Sequence, residues 1–109
     1  MIRISFRYDS KKRPTGFTCS GHAGFADYGE DIVCSAITAL VFNAVNSIDQ
    51  FTSDTFQLET DEETGYISCL LDNEPSDDAI LLLRSLELGV SGISQEYGNE
   101  YVSLFDWEV

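Results

Sequence analysis

Basic residues are scarce in this chain. Lysine and arginine together number six among 109 residues, against nineteen aspartates and glutamates, for a formal net charge of −13. The few cations are also confined. Arg3, Arg7, Lys11, Lys12 and Arg13 crowd the first thirteen residues, and only Arg84 follows them. Residues 1–13 therefore carry +4 and residues 14–109 carry −17. A surface this negative repels phosphate, which argues against nucleic acid or an anionic membrane as a direct partner. It attracts a basic partner, and it also keeps a small domain soluble.

Proline occurs twice, cysteine three times and histidine once. An odd set of cysteines without paired spacing excludes a disulfide-stapled secreted scaffold and suits reduced thiols in the cytoplasm. No run approaches the roughly 18 consecutive apolar residues of a spanning helix. The start, Met1-Ile2-Arg3-Ile4-Ser5, lacks the basic-then-apolar pattern of an export signal. Walker A, G-x-G-x-x-G and G-x-S-x-G patterns are all missing, so nucleotide binding and serine hydrolysis lack support. Cys19, Cys34, Cys69 and His22 are spaced too widely for a zinc module. With 43% apolar residues, the length suits one domain over residues 1–109 that buries about two-thirds of the unfolded surface.

Periodicity supplies the elements. Ile2, Ile4, Phe6 and Tyr8 alternate with Arg3, Ser5 and Arg7, a half-buried strand. Residues 9–14 read as a polar turn and 15–20 as the returning strand, with Phe17 and Cys19 inward. The glycine-bearing stretch 21–31 has no period and reads as a mobile loop. From Ile32 the period becomes helical: Val33, Ile37, Leu40, Val41, Ala44 and Ile48 form one stripe to about Gln50, with Asp31 as the N-cap. Residues 55–60 and 66–72 form a second hairpin across the turn at 61–65. A second helix starts at Pro75-Ser76, with Asp77 and Asp78 complementing its dipole and Ala79, Leu82, Leu83, Leu86, Val90 and Ile93 as its stripe. Gly89 and Gly92 weaken it, and residues 100–106 make a last strand. The order ββαββαβ predicts an α+β fold, a mostly antiparallel sheet with two helices on one face.

His22 sits in the glycine loop, and Cys34 falls twelve residues later in the first turn of the first helix. A helix start lowers a thiol's pKa by presenting partial positive charge and free N–H groups. An imidazole alongside can take the thiol proton and return it to a leaving group, and the same N–H groups can hold an oxyanion. Asp31 has two competing uses, capping the helix or orienting His22 as the acid of a triad. On residue types alone, a structural cysteine and an incidental histidine are the commoner reading. Cys19 and Cys69 share strand parity with core residues and read as sheet filling. Phe25 and Tyr28 either line an apolar pocket or pin the loop to the core.

Gly21-His22-Ala23, a short glycine-bearing loop, and Asp31-Ile32-Val33-Cys34-Ser35-Ala36 together resemble the signature of the bacterial ribosomal-processing cysteine protease family. Length and element order extend the resemblance over the whole chain. It implies a cytoplasmic endopeptidase, homodimeric and cofactor-free, that removes an N-terminal extension from large-subunit ribosomal protein number twenty-seven. The family cuts after a phenylalanine in an apolar stretch, ahead of a basic mature N-terminus. Carried over by motif, His22 is the base and Cys34 the nucleophile. Thr38, one turn after Cys34 on the same helix face, stands where many relatives have serine, which touches substrate contact rather than the chemistry. Two rival readings are a non-catalytic acidic adaptor for a basic ribosomal protein and a hydrolase of small amides.

Overall fold

The computed structural model describes residues 1–27 and 31–108. The elements follow the predicted order: β1 (Ile2–Tyr8), β2 (Pro14–Ser20), α1 (Ile32–Phe51), β3 (Phe56–Asp61), β4 (Tyr66–Leu71), α2 (Asp77–Tyr97) and β5 (Val102–Glu108). One five-stranded sheet holds them in the order β3-β4-β2-β1-β5. Its pairs are antiparallel except β1 with β5, which run parallel.

Register explains the core. Phe6 pairs with Phe17, which pairs in turn with Cys69, and Ile4 pairs with Cys19, which pairs with Ile67. On the other flank of β1, Ile2 and Ile4 stand against Val102 and Leu104. Across β1, β2 and β4 these two rows thus run without a polar break. The period-two pattern puts these side chains on one face, where they bury into one cluster with the α1 stripe of Val33, Ile37, Val41, Ala44 and Ile48. Leu83, Leu86 and Val90 of α2 complete the cluster, so both helices cover that face. By length and composition α1, alone among the helices of the described residues, is apolar enough to cross a membrane. In the fold its apolar stripe is spent on the sheet and α2.

Helix α2 runs through Gly89 and Gly92 to Tyr97, further than its glycines suggest. At Gly89 a β-carbon would stand 3.0 Å from Leu40 Cδ1 of α1. The glycine there serves close helix–helix approach, and packing outweighs its poor propensity. Leu82 and Ile93 are only half-buried; the inward place near the helix end goes to Ser94, whose hydroxyl donates to the Val102 carbonyl at 2.7 Å. The cationic β1–β2 turn is tied by Asp9, which accepts the Lys11 and Arg13 main-chain N–H groups and pairs with the Arg13 guanidinium at 2.8 Å. Strand β2 leads from that turn to His22, a span of about 20 Å at strand rise.

Candidate active site

Helix α1 starts where it does because of Asp31. Its carboxylate Oδ1 accepts the N–H groups of Val33 and Cys34, both at 3.0 Å. Oδ2 accepts from Phe25 at 3.0 Å and Ala26 at 3.4 Å. The residue is only 5% exposed. One carboxylate therefore caps the helix and folds the preceding loop back onto it. Burial opposes its ionisation, but the N–H groups of Cys34, Phe25 and Ala26 outweigh burial and hold its carboxyl below the ordinary range. The capping expected of Asp31 is present, with main-chain donors filling its acceptor sites.

Cys34 lies in the first turn of α1, half-buried against the core. Its Sγ accepts the N–H of Ala23 at 3.1 Å, which joins the exit of β2 to the start of α1. Burial pushes the thiol above its usual value, and the Asp31 charge and a thiol–carboxylate hydrogen bond add to this; the Ala23 N–H pulls the other way. The expectation that the helix start would lower this pKa is corrected here. The Val33 and Cys34 N–H groups that would have stabilised a thiolate, or an oxyanion, are already committed to Asp31, whose charge adds to the effect of burial. Burial and the neighbouring carboxylate thus both disfavour the thiolate at this position.

His22 is exposed and immediately precedes the buried Ala23. A third element reaches it: the β3–β4 turn. The Gly21 N–H donates to the Thr64 carbonyl at 3.0 Å, and His22 Nε2 stands 3.4 Å from the Glu63 carbonyl oxygen. Gly65, at φ +66°, completes the seat: a β-carbon there would fall 2.5 Å from the Gly21 carbonyl oxygen and 3.2 Å from His22 Cε1. Sequence reasoning missed this turn, because some forty residues separate it from His22. The one available signal was Gly65 itself, a glycine ending the acidic turn Asp61-Glu62-Glu63-Thr64.

Phe25 packs edge-on against Tyr97 and Tyr101, with ring centroids 5.5 and 5.3 Å away. It pins the loop to the end of α2, the second of its two expected uses. Tyr28 lies outside the described residues. Thr38 is exposed, one turn along α1 from Cys34. Cys19 and Cys69 are buried in the sheet, as expected of filling residues, and burial pushes their thiols to about 12 and about 11. Among the described residues no group of histidine, cysteine, aspartate and glutamate is arranged to hold a metal ion.

A half-buried thiol at a helix start, with a main-chain N–H on its sulfur and a histidine on the adjoining segment, suits thiol-dependent acyl transfer: the thiol gives its proton to the imidazole and attacks a carbonyl. That is the chemistry of cysteine hydrolases. The family model for cysteine protease Prp matches residues 1–103. The ribosomal processing cysteine protease Prp of Bacillus subtilis strain 168 is 33% identical over 101 residues, covering 89% of this chain and 90% of that protein. Its namesake from Staphylococcus aureus strain Mu50 is 30% identical over 104 residues, covering 95% of this chain and 97% of the relative. The crystal structure of the Staphylococcus aureus Prp protease in complex with a covalently linked product peptide superposes with a TM-score of 0.92 at 29% identity, over 98% of this chain and 100% of that one. The chain belongs to the cysteine protease Prp family and is a cysteine protease. The adaptor reading is thereby set aside.

Proposed function

We propose that this protease removes the N-terminal extension of large-subunit ribosomal protein number twenty-seven, with Cys34 as nucleophile and His22 as base. The Cys34 proton passes to His22 as Sγ bonds to the scissile carbonyl carbon. The C–N bond then breaks, and the imidazolium gives its proton to the leaving amine. Water, deprotonated by the same imidazole, hydrolyses the thioester and frees the thiol. Main-chain donors other than Val33 and Cys34 serve the oxyanion. Residues 1–109 act as one protease domain, in the cytoplasm, as a homodimer and without a cofactor. Thr38 contacts the bound peptide one turn from the nucleophile.

The observation that carries this reading is the Ala23 N–H on Cys34 Sγ at 3.1 Å, which fixes the sulfur one residue from His22. A balance of −17 over residues 14–109 favours a basic substrate, and the relative's covalent product peptide favours peptides over small amides. The test is mass spectrometry of the extended ribosomal protein after incubation with wild type and with Cys34→Ala. Wild type should release the extension and Cys34→Ala should not, while keeping its circular dichroism. Cleavage by a folded Cys34→Ala protein would end the assignment. Cys34→Ser should be nearly inactive, because a hydroxyl is a far weaker acid than a thiol.

A further inference from the structure

We infer that the β3–β4 turn is the positioning device of His22, with the Glu63 carbonyl fixing its tautomer and Gly65 seating its ring. The inference rests on the proposed role of His22 as the base. A carbonyl oxygen only accepts hydrogen bonds, so this contact at 3.4 Å favours hydrogen on the ring nitrogen that faces it. In the neutral imidazole, Nε2 is therefore the donor and Nδ1 the basic nitrogen. The third group of a triad has this duty, and here a main-chain carbonyl performs it while the Asp31 carboxylate is occupied by main-chain N–H groups.

Two further observations make the turn a built seat rather than a chance neighbour. The Thr64 carbonyl accepts the Gly21 N–H at 3.0 Å, anchoring the residue before His22. Gly65 adopts φ +66°, and any side chain there would strike the Gly21 carbonyl oxygen at 2.5 Å and crowd His22 Cε1 at 3.2 Å. Gly21 is also closely approached from its other side, where a β-carbon on it would meet the Met1 carbonyl oxygen at 2.4 Å. The residue before the base is thus tied to the turn on one side and packed against the N-terminal backbone on the other.

The experiment has two arms. Nitrogen-15 NMR of the imidazole in the wild-type protein, above its titration, should show hydrogen on Nε2; a ring carrying it on Nδ1 would overturn the inference whatever any variant does. In the second arm, Gly65→Ala is checked for folding by circular dichroism and assayed on a peptide spanning the cleavage site. We expect kcat to fall on the order of 10-fold to 100-fold with KM unchanged, as for a misplaced catalytic group, and the Nε2–H population to decline. A folded Gly65→Ala with wild-type kcat and tautomer would refute it. His22→Ala separates the two levels: if it still cleaves, the base assignment fails, whereas a dead His22→Ala beside a normal Gly65→Ala removes the positioning role alone.

Discussion

Asp31 Oδ1 lies 3.0 Å from the Cys34 main-chain nitrogen, so a carboxylate sits at the foot of the helix that carries the candidate nucleophile. It stabilises the fold and opposes ionisation of the thiol at the same time. Asp31→Asn separates these effects. The amide keeps one acceptor oxygen but turns an NH2 toward main-chain donors, so stability should fall by about 1–3 kcal/mol. Loss of the charge should let Cys34 ionise at lower pH, read as a downward shift in the pH midpoint of its alkylation by iodoacetamide. A midpoint that stays or rises would contradict the electrostatic role assigned to Asp31. A large fall in the rate of the chemical step would restore Asp31 as an orienter of His22.

The same residue governs acid stability. Its carboxyl is held below the ordinary range in the folded protein, so its contribution is present above the unfolded value of about 3.9 and disappears as pH falls through the folded value. Urea midpoints measured from pH 6 down to pH 2 should therefore fall less steeply for Asp31→Asn than for wild type. Parallel curves would show that other carboxylates carry the acid sensitivity.

The three thiols should separate by access. Cys34 is half-buried, whereas Cys19 and Cys69 are buried with thiols pushed to about 12 and about 11. Brief alkylation of the native protein near pH 8.5 should modify Cys34 first, and the other two only after denaturation. Peptide mapping showing equal labelling would disprove this order.

Phe25→Ala should loosen the loop without unfolding the protein. Each edge-on ring pair contributes about 0.5–1.5 kcal/mol beyond simple burial, and Phe25 makes two of them. Hydrogen exchange over residues 23–27 should accelerate, while exchange in β1 and α1 stays as in wild type. Unchanged protection of the loop would mean that the Asp31 bonds alone hold it.

Salt should distinguish steering from mere solubility. Exposed charges are screened over about 10 Å at 0.1 M salt, and opposite fields raise encounter rates. For a basic full-length substrate, kcat/KM should decline as salt rises, and a neutral peptide spanning the same bond should hardly respond. Equal responses would assign the acidic surface to solubility alone.

Much of the fold was legible because its elements are strongly periodic: β1 by alternation, α1 by its stripe, and the β3–β4 hairpin by its turn. Parallel pairing of β5 with β1 was not, since one strand's pattern does not reveal which distant edge it joins. Gly89 misled because its value lies in the Leu40 side chain pressed against it, a contact between helices invisible along one of them. At the site, the cap Asp31 was readable from types and spacing, whereas His22 and Cys34 were singled out there but took their roles from the family resemblance. The number of donors Asp31 would gather was not readable, because Phe25 and Ala26 reach it only through the fold of the loop. The β3–β4 turn reaches His22 only through the sheet order.

The parallel β1–β5 pair has a consequence for how the protein comes into being. Synthesis delivers β1 first and β5 last. Until residues 102–108 emerge, β1 can pair only with β2, and its other edge, with Ile2, Ile4 and Phe6 behind it, has nothing beside it. A nascent or truncated chain therefore presents a sticky open edge. Arg3, exposed on the outward face, is a charge of the kind that discourages neighbouring chains from docking there. Ile2 seals the arrangement by donating its N–H to the Tyr101 carbonyl at 2.8 Å, a bond between the second residue and the hundred-and-first. The sheet is complete only once residues 102–108 have been made, so the first strand waits on the last for its second neighbour.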